Sequence, residues 1–471
     1  MHDAKIEYCH WKSNEHLGAS IRGETDLDIL VARRDVCCLA QVLGGTRFKR
    51  CLTAPARQYP GIESYVGLDE ETGRLIHLHV HYQLTVGERH LKGYRVPWEH
   101  LVLARRVYRE TEGLYVVDPE LELLLLVIRA ALKLRNRDLI RAWVLGKEAR
   151  PDMVREFHWL ASRVDREELA GVADRLVGSR AAQLVGTMVV EARVTPRALA
   201  RLRGALAPGA QEYRTYAAFG ARCRRWMREL LLVGAPRLRL PQGGAVVVVV
   251  GADGSGKSTV VRELTRWLSN NLDATSMYLG SGQGPVSMPR QALQRAAAVF
   301  KRVRPSAKAS APYRRRGEGL SRLRTAGELL WVASLAVERR RRAAAVRRAR
   351  NRGTIVLCDR FPQSQTAGND GPWLGHWLDH SGWARRTVAR QELASLRCVE
   401  RLRPDLVIKL AVTREVAALR KPETAPHLLD TRLQVLEQLR FDPESRVVEL
   451  DATRPLERVL LEAKREIWSM L

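Results

Sequence analysis

Apolar and polar positions change their rhythm three times along the chain. Up to about residue 116, short strand-like runs such as LDILVA, SYVGL and RLIHLHVHY alternate with turn signals such as DEETG and VGERHLKG, the pattern of a small α/β domain. From Pro119 the spacing becomes helical in ELELLLLVIRAALKL, PDMVREFHWLASRV, REELAGVADRLV and AAFGARCRRWMRELLLV, which predicts a helical connector domain over 117–233. The stretch GAPRLRLPQG mixes Pro, Gly and charge and reads as a linker over 234–243. Beyond it, over 244–471, the apolar runs AVVVVVG, TIVLCD, DLVIKLAV and RVVELDA are separated by helical stretches. Uniformly apolar strands between helices predict a parallel sheet covered on both faces. No internal repeat interrupts this three-part reading.

Composition adds bounds. A length of 471 residues exceeds one ordinary core and predicts two or three domains. The first residues, MHDAKIEYCHWKSNEH, lack the apolar stretch of a signal peptide. The longest apolar runs are too short or too interrupted by charge to span a bilayer, so no transmembrane segment is expected. Seven scattered cysteines without metal-ligand spacing read as free thiols of a cytoplasmic protein. The net charge of +27 is consistent with anionic ligands: nucleotides, nucleic acid or an acidic surface. It is concentrated between Arg290 and Arg352, where nineteen Lys/Arg face three Glu.

The most informative stretch is GADGSGKST, which satisfies G-x-x-x-x-G-K-[ST] through Gly251, Gly256, Lys257 and Ser258. A strand precedes it and an amphipathic helix follows, the context in which glycines let backbone N–H groups turn inward around phosphate. Gly251, Asp253, Gly254, Ser255, Gly256, Lys257, Ser258 and Thr259 therefore form the expected ATP-binding loop. Lys257 is placed to reach the terminal phosphates and the Ser258 hydroxyl to bind Mg²⁺. TIVLCDRF puts Asp359 at a strand end, where a carboxylate either holds Mg²⁺ or forms a structural ion pair, with Arg360 beside it for a phosphate. Arg420 and Lys421 in ALRKPE are placed either to close over a transferring phosphoryl group or to lie on a solvated face.

The order of this loop with Asp at its third position, then DRF, PDLVIKLAV, LRKPE and DATRPLERV, resembles the thymidylate kinase family over roughly residues 244–471. The resemblance implies a P-loop nucleoside monophosphate kinase fold and Mg²⁺-dependent transfer of the ATP γ-phosphoryl to a monophosphate. It implies that Asp253 contacts the acceptor's sugar hydroxyl, that Arg360 holds its phosphate, and that the loop with Thr453 and Arg454 flanks adenine. Gly254 stands where some members carry an arginine, and Arg420 and Lys421 fit the arrangement in which the lid supplies it. Family members are commonly homodimers. YLGSGQGPVSMP lacks the Arg-Pro-Gly run of the acceptor side, and LAVERRRR follows the family's substrate-contacting helix loosely, with Arg339 at the arginine position. QRAAAVFKRVRPSAKASAPYRRRGEG reads as a basic insertion: a lid, or a contact to nucleic acid or an acidic surface.

WKSNEHLGASIRGETDLDILV carries the second signal. Ser13, twelve residues, then Asp26-Leu27-Asp28 on one strand is similar to the nucleotidyltransferases of the polymerase-beta superfamily, over about residues 5–110. The resemblance implies that Asp26 and Asp28 hold Mg²⁺ on a triphosphate. Lys12 replaces the family's glycine, and no acid fills the third position. His77, His79 and His81 share one strand face there, with His79 where the acid is expected, either as a metal site with the aspartates or as a polar outer face. The expectation is thus an α/β protein: a P-loop NTPase parallel sheet preceded by a nucleotidyltransferase-like domain and a helical connector. Its expected activity is phosphoryl transfer from ATP to a nucleotide or other phosphorylated acceptor. A non-catalytic ATP-binding module and a bifunctional nucleotidyltransferase/kinase are the alternatives.

Overall fold

The computed structural model describes residues 1–53, 58–59, 61–88, 91–134, 150–206, 220, 223, 226–227, 238–280, 318–365, 370–375, 377–380, 382–422, 424 and 426–471. The chain divides into two compact units, Met1–Leu238 and Arg239–Leu471.

The first unit is built on a seven-stranded sheet of order β3-β4-β5-β2-β1-β9-β8. Its strands are β1 (Tyr8–His10), β2 (Leu27–Val31), β3 (Phe48–Cys51), β4 (Ile62–Leu68), β5 (Leu75–His81), β8 (Val107–Arg109) and β9 (Leu114–Val116). β6 (Leu84–Glu88) and β7 (Leu91–Val96) form a separate hairpin. Short helices α1 (Leu17–Ile21), α2 (Val36–Gly44) and α3 (Glu99–Ala104) fill the connections. β2 runs parallel to β5, with Asp28 opposite His79 and Leu30 opposite His81.

Helices α4 (Pro119–Lys133), α5 (Pro151–Ala161), α6 (Arg166–Val177), α7 (Ser179–Val190) and α8 (Pro196–Leu206) follow. α4 starts at Asp118, whose carboxylate accepts from the Leu121 N–H at 2.8 Å, with Pro119 in the first turn. Its leucines are buried on every side, so it behaves as the central helix of a core and not as a surface helix. One apolar cluster joins Cys9, Trp11 and Leu30 of the sheet region to Val96, to Leu121–Leu132 of α4 and on to Leu206.

The second unit is a five-stranded, all-parallel sheet of order β11-β12-β10-β13-β14. The strands are β10 (Val246–Gly251), β11 (Ala274–Tyr278), β12 (Ile355–Asp359), β13 (Leu406–Ala411) and β14 (Arg446–Asp451). Helices are α9 (Lys257–Ser269), α10 (Glu318–Asn351), α11 (Trp377–His380), α12 (Trp383–Glu400), α13 (Arg414–Arg420), α14 (Pro426–Gln438) and α15 (Leu456–Met470). Val246–Val250 are all buried, because β10 is central and helices cover both faces. On one face Val246, Val248 and Val250 pack with Ala343 and Val346 of α10 and Val399 of α12. On the other, α9 and α15 meet through Trp267 and Trp468, ring centroids 6.5 Å apart. The chain leaves β10 toward one edge of the sheet and later crosses to the other through β13. The switch point, where such sheets bind ligands beyond their carboxyl ends, therefore lies at β10. This is the expected α/β fold with a P-loop-type parallel sheet. Among the described residues no helix is long and apolar enough to cross a membrane. Of the basic stretch from Arg290, residues 290–317, which hold nearly all of the insertion, lie outside the described residues.

Candidate functional site

The loop between β10 and α9 is shaped by two glycines in the left-handed region. Gly254 has φ 85° and Gly256 φ 86°, which other residues adopt only under strain. Gly254 also abuts α13, since a Cβ there would fall 2.6 Å from the Ala417 carbonyl oxygen. An arginine at this position has no room, in keeping with a basic group supplied from elsewhere. Gly256 serves as the N-cap of α9, and no side chain caps that helix end. The free first-turn N–H groups of Lys257, Ser258 and Thr259 are thus left to an anion.

Lys257 is buried, and its Nζ donates to the Ala252 carbonyl at 2.6 Å. Burial first, then the neighbouring Arg360, pushes its ammonium down to about 8. Ser258 Oγ donates to Asp359 Oδ2 at 2.6 Å, while the buried Asp359 Oδ1 has no partner. The Ser255 hydroxyl is likewise buried without a hydrogen bond. A hydroxyl and a carboxylate with an orphaned oxygen are the hard donors that Mg²⁺ takes, so the residues present fit the ion implied by the sequence.

Asp253 is the electrostatic centre of the loop. Arg360 Nη2 lies 3.3 Å from its Oδ1, Lys421 Nζ 3.3 Å from its Oδ2, and Arg432 of α14 bonds the same Oδ2. Burial works to raise its carboxyl pKa, but Arg432, Lys257, Arg360 and Lys421 outweigh that and hold it below the usual range. Arg360 also donates to Asp370 at 3.1 Å and sits at φ 70°, a strained backbone for an arginine. Such strain persists only where the surroundings hold it, here two carboxylates and the Arg360 N–H to Val249 carbonyl bond of 3.2 Å.

Arg420 takes a different place from Lys421: its Nη1 donates to the Ala452 carbonyl at 2.8 Å, tying α13 to the loop after β14. In that loop Thr453 N–H and hydroxyl both bond Asp451 Oδ1, at 2.9 and 2.5 Å, and Arg454 pairs with Asp451 and Glu462. Arg339 is buried and pairs with Glu392 at 3.8 Å. Beside the Ser258–Asp359 pair a cavity of about 450 Å³ opens between α9 and β11, walled by Arg262, Thr265 and Tyr278 among others.

Two residues of this constellation had no sequence signal. Arg432 is one of 79 Lys/Arg and lies in an ordinary amphipathic helix. Asp370 lies ten residues beyond Arg360, and only the fold brings it back onto that side chain.

In the first unit Asp28 lies on β2 and Asp26 just before that strand begins, and the two engage different partners. Asp26 Oδ1 is 2.8 Å from His77 Nδ1. Asp28 Oδ1 is approached by Lys12 Nζ at 2.6 Å, His81 Nε2 at 3.2 Å and His79 Nδ1 at 3.4 Å. Burial pushes Asp28 upward, yet Lys12 and the two imidazoles win and keep it well below the carboxylate range; burial lowers His81 to about 4. With Lys12 on Asp28 and an imidazole in the third position, this donor set does not fit Mg²⁺ on a triphosphate.

The turn at Ser13, left-handed at φ 59°, is closed from α4. Glu122 accepts from the Asn14 N–H and from Asn14 Nδ2, both at 2.7 Å, and Asn14 Oδ1 is 2.6 Å from His10 Nδ1. A backbone N–H that a phosphate would need is therefore already held by a carboxylate. Burial raises Glu122 to about 7.

Fold and loop together define an α/β protein of the P-loop type. No family model matches the chain. It is 27% identical over 231 residues to the Uncharacterized ATP-binding protein YghR of Escherichia coli (strain K12), covering 47% of this chain and 86% of that protein. It is also 27% identical over 228 residues to the Uncharacterized ATP-binding protein YghS of the same strain, covering 48% of this chain and 93% of that protein.

Proposed function

We propose that the unit Arg239–Leu471 binds MgATP and transfers its γ-phosphoryl to an acceptor that itself carries phosphate, a nucleoside monophosphate in the manner of the thymidylate kinases. ATP binding is supported by the uncapped N-terminus of α9, by the buried ammonium of Lys257 and by the similarity to two proteins named as ATP-binding. The observation that carries the step from binding to transfer is the convergence of Arg360, Lys421 and Arg432 on the single carboxylate of Asp253. Even with Asp370 as a second carboxylate on Arg360, the three basic side chains leave net positive charge beside Lys257, which an acceptor phosphate could meet.

In this reading the loop N–H groups and Lys257 hold the β- and γ-phosphates. Ser258 and Asp359 would hold Mg²⁺, which supplies neutralisation of phosphate charge. Arg360, Lys421 and Arg432 orient the acceptor phosphate and screen charge on the transferring group, while Asp253 accepts from an acceptor hydroxyl. An acceptor oxygen attacks the γ-phosphorus in line as the bond to ADP breaks; positioning and electrostatics suffice, and no general base is required of the protein.

The test incubates the full chain with γ-labelled ATP, Mg²⁺ and a panel of nucleoside and sugar monophosphates, with Lys257→Ala as control. Label should pass to one acceptor class and be lost in the variant. ATP binding without transfer to any acceptor would instead favour a non-catalytic ATP-binding module.

A further inference from the structure

The cluster around Asp28 is not absorbed by ATP chemistry. Asp28 lies on β2, and His79 and His81 on β5. The parallel register sets Asp28 opposite His79 with His81 two residues on, so all three project from one face. Both imidazole nitrogens approach the same carboxylate oxygen, at 3.4 and 3.2 Å, and the three donor atoms lie within 4.8 Å of one another. A tetrahedral ion with bonds of ~2.0–2.1 Å needs its ligand atoms ~3.3 Å apart. Two of the three edges of that tetrahedron already have this length. The third closes with a small inward rotation of the partly exposed His79 ring.

A resident cation already sits there. Lys12 Nζ lies 2.6 Å from the same Asp28 oxygen and 5.1 Å from the Trp11 ring centroid. Two imidazoles and an ammonium thus crowd a single oxygen. One divalent cation would satisfy the carboxylate and both imidazoles at once. The buried His81 is held in place by the edge of the Trp11 ring, 5.1 Å between centroids, so one ligand is oriented in advance. Entry is from solvent past His79 and Lys12, each with 22% of its side chain exposed.

We infer that Asp28, His79 and His81 form a binding site for a divalent transition metal, Zn²⁺ by donor set, and that Lys12 is the cation it displaces. Two imidazoles and a carboxylate suit Zn²⁺, whereas Mg²⁺ requires oxygen donors. Three protein ligands leave the fourth position, where the ammonium now sits, open to water or an anionic oxygen. Asp26 is not a ligand, since its carboxylate is engaged by His77.

The test uses the full chain stripped of metal with a chelator and titrated with Zn²⁺ in competition with a chromophoric chelator, bound zinc being counted by elemental analysis. The expected result is one Zn²⁺ per chain, weakened at least ~100-fold in His79→Ala and in His81→Ala, each of which loses a direct ligand. Lys12→Met should tighten binding ~10-fold or more, because it removes the competing charge. A site elsewhere, for instance on the free cysteines, would respond to neither substitution. Should the buried His81→Ala fail to fold, His79→Ala and Lys12→Met decide. Absence of bound zinc, or binding unchanged in those two variants, overturns the inference.

Discussion

Replacing Lys257 by Met should make the ligand-free protein more stable and sharply weaken its response to ATP. The ammonium is buried, held by one hydrogen bond to the Ala252 carbonyl, and pushed down to about 8 from an ordinary 10.5. A base whose folded pKa is depressed costs stability wherever both states are protonated; the cost is relieved as the pH rises through 8 toward 10.5. At ~1.4 kcal/mol per pK unit, holding this charge at pH 7 costs ~3 kcal/mol. Methionine keeps most of the stem volume, removes the charge and forfeits a hydrogen bond worth ~1 kcal/mol. The net gain expected at pH 7 without ligand is ~2 kcal/mol. MgATP at 100 times its Kd adds ~2.7 kcal/mol to the wild type and far less to the variant, which has lost the group that faces the terminal phosphates. Hydrogen exchange of the backbone amides in β10 and α9 of the full chain, with and without MgATP, reads both effects locally. Less protection in the ligand-free variant than in the wild type would refute the reasoning, as would equal protection of both proteins by ATP.

Three further outcomes are expected. Asp253→Asn leaves ATP affinity unchanged or tighter, because one negative charge is gone from beside the phosphates, but lowers kcat/KM for the acceptor by ~10–100-fold; equal loss of both, by calorimetry and steady-state kinetics, would mean that Asp253 only braces the loop. Asp359→Asn should cost about tenfold in ATP affinity with Mg²⁺ present and little in its absence, measured by titrations with and without a chelator; an equal loss in both would remove Asp359 as a metal ligand. Glu122 has a raised folded pKa, so its contribution to stability falls as pH rises from ~4.5 to ~7, by up to ~3 kcal/mol. Glu122→Gln should flatten the denaturation midpoint over that window, with Asn14 and His10 reversing their hydrogen-bond roles to accommodate the amide, and an unchanged slope would assign the pH dependence to other groups.

The phosphate loop was legible because its signal is local: an apolar strand, glycines at fixed offsets and an amphipathic helix lie within about two dozen consecutive residues. The parallel sheet was legible for a related reason, since central strands such as Val246–Val250 have no polar face to show. Asp359 could be placed at a strand end from sequence, but its orphaned oxygen depends on which way Ser258 turns. Arg432, Asp370 and Glu122 were not legible, because each acts through a contact made by the fold and none differs in type from its neighbours. Glu122 reads as one polar position in a leucine-rich helix, yet it closes a turn 108 residues earlier in the chain. The three histidines were legible as a face. Their register against Asp28, and the presence of Lys12 on it, were not.

The central position of β10 also has a consequence for synthesis. The ribosome completes Val246–Val250 before either of its neighbours exists: β12 begins roughly 110 residues later and β13 roughly 160. At ~5–20 residues per second the strand waits on the order of 5–30 s without a partner. An uncharged run of valines with two unpaired edges is the kind of segment that joins other chains. Yield in a heterologous host should therefore be set by how fast the chain from 355 to 411 follows and by what shields β10 meanwhile, more than by the stability of the finished sheet.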